Sequence, residues 1–454
     1  MAESDPATVA DKDLDAVKAE RIEYLDDEPI PYDDVSYGSG GMRGLWQSPY
    51  VVAAAFLASL GGFSFGYDQG VISIINTMEQ FHEQFPRAAT PFGKGFMTGM
   101  LEFGAFVGAL AFPYLADRIS RKRALSVVTV VFNVGAIMQT AAPDYGTLVA
   151  GRTIGGIGVG TLALVDDCLK SLSQLRPLPA EDSRVQAEFT GIMTGVRFQN
   201  IVQERRHPGV TGIKREMWSW LDLFRKEIWR RLVVGVGVAF FQQFSGINAF
   251  IYYAPTLFES LGQTPEMALI LSGVFNCLQL VAVAVCFVVI DHVGRRPLAI
   301  WGGFGCCICY IIIAALSSVY EDDWSQNSAA GWACVAMAFM FILIYGVSYS
   351  PLGWALPPEV FPNSMRSKGV AMSVATIWLC NFIIGVATPP MLDSLGYGTY
   401  IFFAAWCGLA GVWAFLERGQ RSWSASPTVA QSASVACQHA VVARRPRRLR
   451  PLSG

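Results

Sequence analysis

The sequence predicts an all-α integral membrane protein built from two related helical halves. Of its 454 residues, 52% are hydrophobic and only 15% are charged, whereas soluble domains carry about 25% charged residues. Ten apolar runs are long enough for helices that span a bilayer, which need about 20 residues. A charged fragment, DRISRK at 117–122, recurs as DHVGRR at 291–296. Internal repeats of this kind are typical of membrane proteins that move solutes.

The ten apolar runs are read as helices because only helices and closed barrels satisfy every backbone group in lipid, and the runs are too long for barrel strands. We place them at 51–72, 94–116, 124–142, 147–165, 232–258, 267–290, 298–318, 331–356, 368–391 and 396–416. The first copy of the repeat is followed by two such runs and the second copy by four. The first half is therefore predicted to be two helices short.

Five regions follow from this pattern. The predicted order is a disordered cytoplasmic arm at 1–50, a truncated half of four helices at 51–165, an amphipathic cytoplasmic linker at 166–231, a half of six helices at 232–417, and a disordered cytoplasmic tail at 418–454. The tail is basic, so it could touch anionic lipid or be an unstructured end. The linker should hold short surface helices with a break at Pro208.

Basic residues in the short loops fix the predicted orientation. Cytoplasmic loops carry an excess of Lys and Arg. The loop cations all fall on one side if both termini are cytoplasmic, and they are Arg118, Arg121, Lys122, Arg123, Arg295, Arg296, Arg366 and Lys368. We therefore expect a multi-pass protein, in the plasma membrane, acting as a monomer in contact with the bilayer.

Composition also sets aside several classes of protein. A net charge of −2 favours no nucleic-acid partner. The ten cysteines are scattered, mostly in apolar runs, where packing explains them better than a disulfide framework. With four histidines and no HExxH motif, neither a metal site nor a cofactor is expected. No nucleophile–base pair supports an enzyme.

An acid inside the first helix is the strongest candidate for chemistry. Asp68 lies in an apolar run, where an ionised carboxylate costs roughly 2.5–3.5 kcal/mol. The fourth helix offers Arg152 within GRTIGGIGVG, whose glycines allow close helix approach. The pair could bind and release a proton as their contact breaks and forms, or it could be a static ion pair. Glu102, in the second helix, is another intramembrane acid, with no role assigned beyond helix packing.

Polar amides mark the fifth predicted helix. With a local break at Gly246, Gln242, Gln243 and Asn248 could face one cavity. Amides both donate and accept hydrogen bonds, which suits a polyhydroxylated solute, although such groups also bond helices together. Asn276 in the next helix is a further candidate.

The eighth predicted helix ends in SPLGWALPPEV, whose prolines and glycine predict a bend. Trp354 within it could lie against a sugar ring or act as an interfacial anchor. At the cytoplasmic ends, charged side chains could form ion pairs that hold one gate shut, and these are Asp117, Arg118, Arg121, Asp291, Arg295, Arg296, Glu359 and Arg366.

Six motifs in order carry a resemblance that covers roughly residues 37–417. They are GYDQGV (66–71), ADRISRKR (116–123), GRTIGGIGVG (151–160), QQFSGINAFIYYAP (242–255), DHVGRRP (291–297) and PPEVFPNSMRSKG (357–369). Together they resemble the sugar porter family of the major facilitator superfamily, fungal monosaccharide type.

The resemblance implies a two-domain helical bundle with a central site and alternating access. It implies proton symport of a hexose or pentose, with Asp68 as the coupling acid and Arg152 as its partner. It implies sugar contacts from Gln242, Gln243, Asn248, Asn276, Trp354 and Asn381.

The family has twelve helices, and this chain resembles it with the fifth and sixth absent. Two alternatives to a transporter therefore stay open: a transporter-like sugar sensor, and an inactive truncated form.

Overall fold

A computed structural model describes residues 56, 62–63, 66–119, 121–160, 207–210, 212–320, 323–324, 326–362 and 365–417. The predicted arm 1–50 and tail 418–454 lie outside this described part, as does most of the linker 166–231. The described residues within 62–160 and 216–417 belong to one compact unit. Of the second unit, the described residues are Phe56, 207–210 and 212–215.

The regular elements in these ranges are all helical. We name the helical stretch 66–75 α1; two short helices, Glu79–Gln84 and Pro86–Ala89, follow it. The others are α2 (Pro91–Ile119), α3 (Arg121–Thr140), α4 (Tyr145–Val159), α5 (Gly212–Leu221), α6 (Lys226–Phe244), α7 (Ile247–Ser260), α8 (Pro265–Val293), α9 (Arg295–Tyr320), α10 (Ser328–Val347), α11 (Tyr349–Val360), α12 (Arg366–Leu395) and α13 (Gly398–Leu416).

Six helical stretches of the described part are long and apolar enough to cross a membrane. They are Ile228–Ser260, Pro265–Ile290, Arg295–Tyr320, Ser328–Val360, Arg366–Leu395 and Gly398–Leu416. These match the six spans predicted after residue 231. In the first half, α2, α3 and α4 overlap the predicted spans 94–116, 124–142 and 147–165, and α1 holds the end of 51–72. The total of ten stays a prediction, because 161–206 lies outside the described part.

Two of the six spans are broken by local backbone chemistry. Gly246 separates α6 from α7 with φ 84°, a left-handed conformation that glycine adopts without a Cβ penalty. Ser348 separates α10 from α11. Pro351 explains that second break, since its nitrogen has no hydrogen for the Val347 carbonyl and its ring would clash there. The bend predicted in this helix is present, and it lies three residues before the first proline.

A kink also lies inside α7. Tyr253 has non-helical backbone angles, φ −129° and ψ 23°, two residues before Pro255. Pro255 cannot donate to the carbonyl of Ile251, so the hydrogen-bond ladder is interrupted at that turn. The parts of α7 on either side of Tyr253 therefore differ in direction.

Glycine sets the helix spacing of the first half. A Cβ atom added at Gly156 of α4 would lie 1.9 Å from the Leu101 carbonyl oxygen of α2, and one at Gly104 of α2 would lie 2.1 Å from the Thr153 carbonyl oxygen of α4. Only residues without a side chain allow backbones this close. The close packing expected from the glycine-rich fourth helix is present. The opposite side of α2 packs against α12 of the second half.

Candidate proton and solute site

The structure brings together the two residues proposed to handle a proton. Arg152 Nη2 lies 3.7 Å from Asp68 Oδ2, with 3% and 25% of the two side chains exposed. Arg152 also donates to the Thr98 carbonyl and to Gln139 Oε1, each at 3.4 Å. The guanidinium is thus held by α2 and α3, while Asp68 is the partner on α1. A buried charge needs such compensation.

A third polar group, Glu102 of α2, belongs to the same region. Its side chain has no exposed surface. Gln69 Nε2 of α1 donates to Glu102 Oε1 at 3.1 Å, and the Tyr252 hydroxyl of α7 lies 2.7 Å from the same oxygen. That hydroxyl is also 3.0 Å from Asn381 Oδ1 of α12. The role assigned to Glu102 from sequence, helix packing alone, missed this network.

Two of the predicted solute amides bond each other across the Gly246 break. Asn248 Nδ2 donates to Gln243 Oε1, and both side chains are buried. The left-handed turn at Gly246 makes this possible, since it changes the direction of the chain between α6 and α7. Gln243 and Asn248 are therefore positioned as one unit.

Gln242 is fixed by the backbone of another helix. Its Nε2 donates to the carbonyl oxygens of Tyr349 at 3.2 Å and Ser350 at 3.1 Å, both at the start of α11. Gly353 makes room for it, because a Cβ there would fall 1.9 Å from Gln242 Oε1. Gln242 Oε1 is buried and accepts no hydrogen bond from the described residues. We expect a solute hydroxyl to use this acceptor, which belongs to an amide that the Tyr345 side chain also approaches.

The change Gly353→Ala tests this arrangement. The new methyl group would displace the Gln242 amide and break both of its bonds to α11, each worth about 1 kcal/mol. We expect sugar affinity to fall about tenfold or more, with only a modest fall in melting temperature, because the displaced amide is the end of a flexible side chain. Equilibrium sugar binding and thermal unfolding measure the two effects.

Gly408→Ala in α13 is the matched control, because a Cβ at Gly408 meets only Cys307 Sγ, at 3.4 Å. Unchanged sugar binding in Gly353→Ala would show that sugar affinity does not depend on the hydrogen bonds of Gln242 to α11.

The remaining predicted solute contacts have different surroundings. Asn381 joins the Glu102 network through Tyr252. Asn276 donates to the Ser272 carbonyl of its own helix at 3.1 Å. Trp354 is half exposed, and its ring lies edge-on to Trp378, 6.2 Å between ring centres. The contacts of Asn276 and Trp354 do not join them to the three amides of α6 and α7.

One ion pair of the predicted gate is present among the described side chains. Arg295, at the start of α9, binds Glu359 of α11 through two hydrogen bonds of 2.9 and 3.1 Å. Arg296 instead donates to the carbonyls of Ala414 and Phe415 at 3.1 and 2.7 Å, which caps the end of α13. Arg366 is exposed at the first residue of α12. The side chains of Asp117, Arg118, Arg121 and Asp291 lie outside the described part, so their pairing stays a prediction.

A second ion pair was not anticipated. Lys368 of α12 is buried, binds Glu216 of the linker helix α5, and has its Nζ 5.5 Å from the centre of the Trp220 ring. From sequence it was counted only as a loop cation.

Among the described residues, no group of three or more His, Cys, Asp or Glu side chains could hold a metal ion.

Comparison with known proteins identifies the class to which this bundle belongs. The sequence profile described as "Sugar (and other) transporter" matches residues 54–165 and 167–417. The chain belongs to this family of membrane transporters.

Among curated relatives, the H(+)/hexose cotransporter 1 of Parachlorella kessleri is 25% identical in an alignment that covers 79% of this chain and 82% of the relative. The sugar transporter STL1 of Saccharomyces cerevisiae is 27% identical in an alignment that covers 77% of this chain and 75% of the relative.

Solved structures agree on the fold. A crystal structure of a D-xylose-proton symporter superposes with a TM-score of 0.58 at 23% identity and covers 83% of this chain and all of the other. The inward-open xylose transporter XylE of E. coli superposes with a TM-score of 0.57 at 21% identity. The match covers 85% of this chain and 100% of the XylE chain. The predicted fold class, an all-helical bundle of the major facilitator superfamily type, is confirmed.

Proposed function

We propose that this chain is a secondary active transporter that carries a monosaccharide, a hexose or a pentose, together with a proton. The observation that carries this proposal is the contact between Asp68 and Arg152 inside the bundle. A carboxylate that loses its guanidinium partner binds a proton more readily. A change of shape that breaks the contact would therefore take up a proton, and one that restores it would release the proton.

The names of relatives support both the solute and the ion. The Parachlorella protein is named as a cotransporter of H+ and hexose, and the superposed crystal structure is that of a proton symporter of D-xylose. Hexoses and pentoses present several hydroxyl groups, and the amide cluster offers donors and acceptors to such groups. We assign the sugar contacts to Gln242, Gln243, Asn248, Asn276, Trp354 and Asn381.

Alternating access requires contacts that open in one state and close in the other. We assign this role to the Arg295–Glu359 pair, which joins the start of α9 to the end of α11 with about a quarter of each side chain exposed. Its paired geometry favours one arrangement of these ends. The other charged residues of the predicted gate are assigned to the same cytoplasmic layer.

The finer classification is also a proposal. The six motifs favour the fungal monosaccharide type, and the interruption of the family match at residue 166 supports a chain that lacks the family's fifth and sixth helices. We also propose the five regions that the sequence predicts. They are the arm 1–50, the truncated half 51–165, the linker 166–231, the half 232–417 and the tail 418–454. Loop cations support cytoplasmic termini, and we place the protein in the plasma membrane as a monomer.

That interruption also favours a second candidate, an inactive form of the transporter, because a missing pair of helices removes part of the cavity wall. Reconstituted vesicles distinguish the two. With the interior one pH unit more alkaline, a proton symporter should accumulate labelled D-glucose or D-xylose, up to about tenfold per proton coupled. Collapse of the gradient with a protonophore should release the sugar. Vesicles that equilibrate no faster than protein-free ones would favour the inactive form.

A further inference from the structure

Glu102 is a buried acid that the Asp68–Arg152 mechanism does not use. Three helices contribute groups around its carboxyl group: α1 contributes Gln69 and Asp68, α4 contributes Arg152, and α7 contributes Tyr252. From α12 the neutral Asn381 lies one hydrogen bond further away. Glu102 therefore lies between the proposed proton pair and a proposed sugar contact. Its Oε2 atom is buried and accepts no hydrogen bond from the described residues.

Counting hydrogens around Tyr252 shows why the protonation of Glu102 matters. The Tyr252 hydroxyl has one hydrogen and lies within bonding distance of two acceptors, Glu102 Oε1 at 2.7 Å and Asn381 Oδ1 at 3.0 Å. It can donate to only one of them at a time. An ionised Glu102 is the stronger acceptor, so it takes that hydrogen and leaves the oxygens of Tyr252 and Asn381 facing each other without one.

A protonated Glu102 reverses the arrangement. The carboxylic acid now carries its own hydrogen and is a weaker acceptor than the carboxylate, so Tyr252 donates to Asn381 Oδ1 instead. That bond fixes the orientation of the Asn381 amide and leaves its NH2 group for a sugar oxygen. One proton is taken up at Glu102 and no covalent bond other than its O–H is formed.

We propose that Glu102 is a second proton site of this protein and that Tyr252 transmits its protonation state to the sugar contact Asn381. The inference rests on the proposed transport function and adds a residue to it. Protonation of Glu102 should tighten sugar binding, and by reciprocity sugar should tighten proton binding at Glu102. Symport requires this positive coupling, in which each of the two ligands tightens the binding of the other.

Asp68 and Glu102 then have different tasks. Asp68 is a quarter exposed and Glu102 is fully enclosed. We expect Asp68 to exchange protons with solvent during turnover and Glu102 to set the affinity for sugar. At equilibrium, given time, Glu102 should titrate even when Asp68 is absent.

The test is sugar affinity against pH in the Asp68→Asn background, which removes the first acid. Full-length protein in lipid nanodiscs is equilibrated with labelled D-glucose and, separately, D-xylose between pH 5.5 and pH 8.5, which is about 1.5 units on either side of neutral pH. We expect affinity to weaken as pH rises, by up to about tenfold per pH unit for one linked proton. Adding Glu102→Gln should keep sugar binding as tight as it is at low pH. It should also remove the dependence of sugar affinity on pH, which we call the slope.

Two further variants separate transmission from local structure. Tyr252→Phe keeps Glu102 titratable but removes the shared hydroxyl, so the slope should disappear and binding should stay weak. Tyr253→Phe is the matched control: its neighbouring hydroxyl donates to the Gly385 carbonyl at 2.8 Å and not to Glu102, so the slope should persist. The Tyr252 variant also decides the matter if Glu102→Gln fails to fold.

Each outcome is decisive. A flat profile in Asp68→Asn, with sugar still bound, overturns the role of Glu102 and leaves the transport proposal intact. A slope that persists in Glu102→Gln or in Tyr252→Phe also overturns the role of Glu102 and leaves the transport proposal intact. Wild-type protein that binds neither sugar at any pH overturns the transport proposal, and this inference with it.

Discussion

Asp68→Asn should abolish proton-driven sugar accumulation. Asparagine cannot bind the proton and cannot pair its charge with Arg152, whose guanidinium lies 3.7 Å from Asp68 in this structure. One pH unit supplies about 1.4 kcal/mol per proton, or about tenfold accumulation, and this ratio should fall to about one in the variant. The measurement is steady-state uptake of labelled sugar into vesicles that hold an imposed pH gradient.

Sugar exchange without a gradient separates loss of coupling from loss of the protein. A correctly folded Asp68→Asn variant should still exchange labelled for unlabelled sugar across the membrane, because sugar contacts are assigned to other residues. Asp393→Asn makes the same chemical change at an exposed site of α12 and should accumulate sugar as the wild type does. If Asp68→Asn accumulates sugar normally, Asp68 is not the coupling acid.

Gly156→Ala should destabilise the fold, because its added methyl group would meet backbone atoms of α2. The added methyl group would lie 1.9 Å from the Leu101 carbonyl oxygen and 2.8 Å from the carbon of the same group. Backbone atoms cannot move aside as a side chain can, so α2 and α4 would have to separate. Overpacking of this kind costs typically 1–3 kcal/mol, occasionally more. The expected result is a clear fall in the melting temperature of the purified protein and in its yield from membranes.

The neighbouring Gly155 provides a matched control. A Cβ at Gly155 would meet only ordinary contacts, with Gln139 Nε2 nearest at 3.4 Å. Gly155→Ala adds the same atom to the same helix, one residue away, and should unfold within a degree or two of the wild type, an effect of about 0.5 kcal/mol or less. Equal melting temperatures for the two variants would mean that α2 and α4 are not held at the distance described.

Local chemistry accounts for the features that could be predicted from sequence. Apolar runs of sufficient length predicted the six spans from Ile228 onward, because lipid allows few other structures. Proline and glycine predicted the broken helices at Gly246 and before Pro351, because these residues change what the backbone itself can do. The meeting of Asp68 with Arg152 followed from the cost of leaving either charge alone in an apolar bundle.

The features that were missed depend on contacts between distant parts of the chain. Glu102 and Tyr252 are 150 positions apart, and no periodicity in either helix indicates that one hydroxyl serves both a carboxyl and Asn381. The pair of Lys368 with Glu216 is similar: Lys368 was read from the sequence only as a loop cation, and Glu216 was not singled out. Side-chain pairing across helices is decided by rotation and height within the bundle, which hydrophobic patterns define only to within several residues.

The way Gln242 is held has a consequence for the selectivity of the protein among modified sugars. Two carbonyls of α11 lie within hydrogen-bonding distance of its amide nitrogen and can accept both amide hydrogens, so we expect this glutamine to offer a sugar its oxygen. It should therefore recognise a hydroxyl as a hydrogen donor and reject a fluorine at the same carbon, which can only accept. A series of singly fluorinated hexoses would reveal one ring position at which fluorine is as damaging as complete removal of the hydroxyl, and that position would give the orientation of the sugar in the bundle.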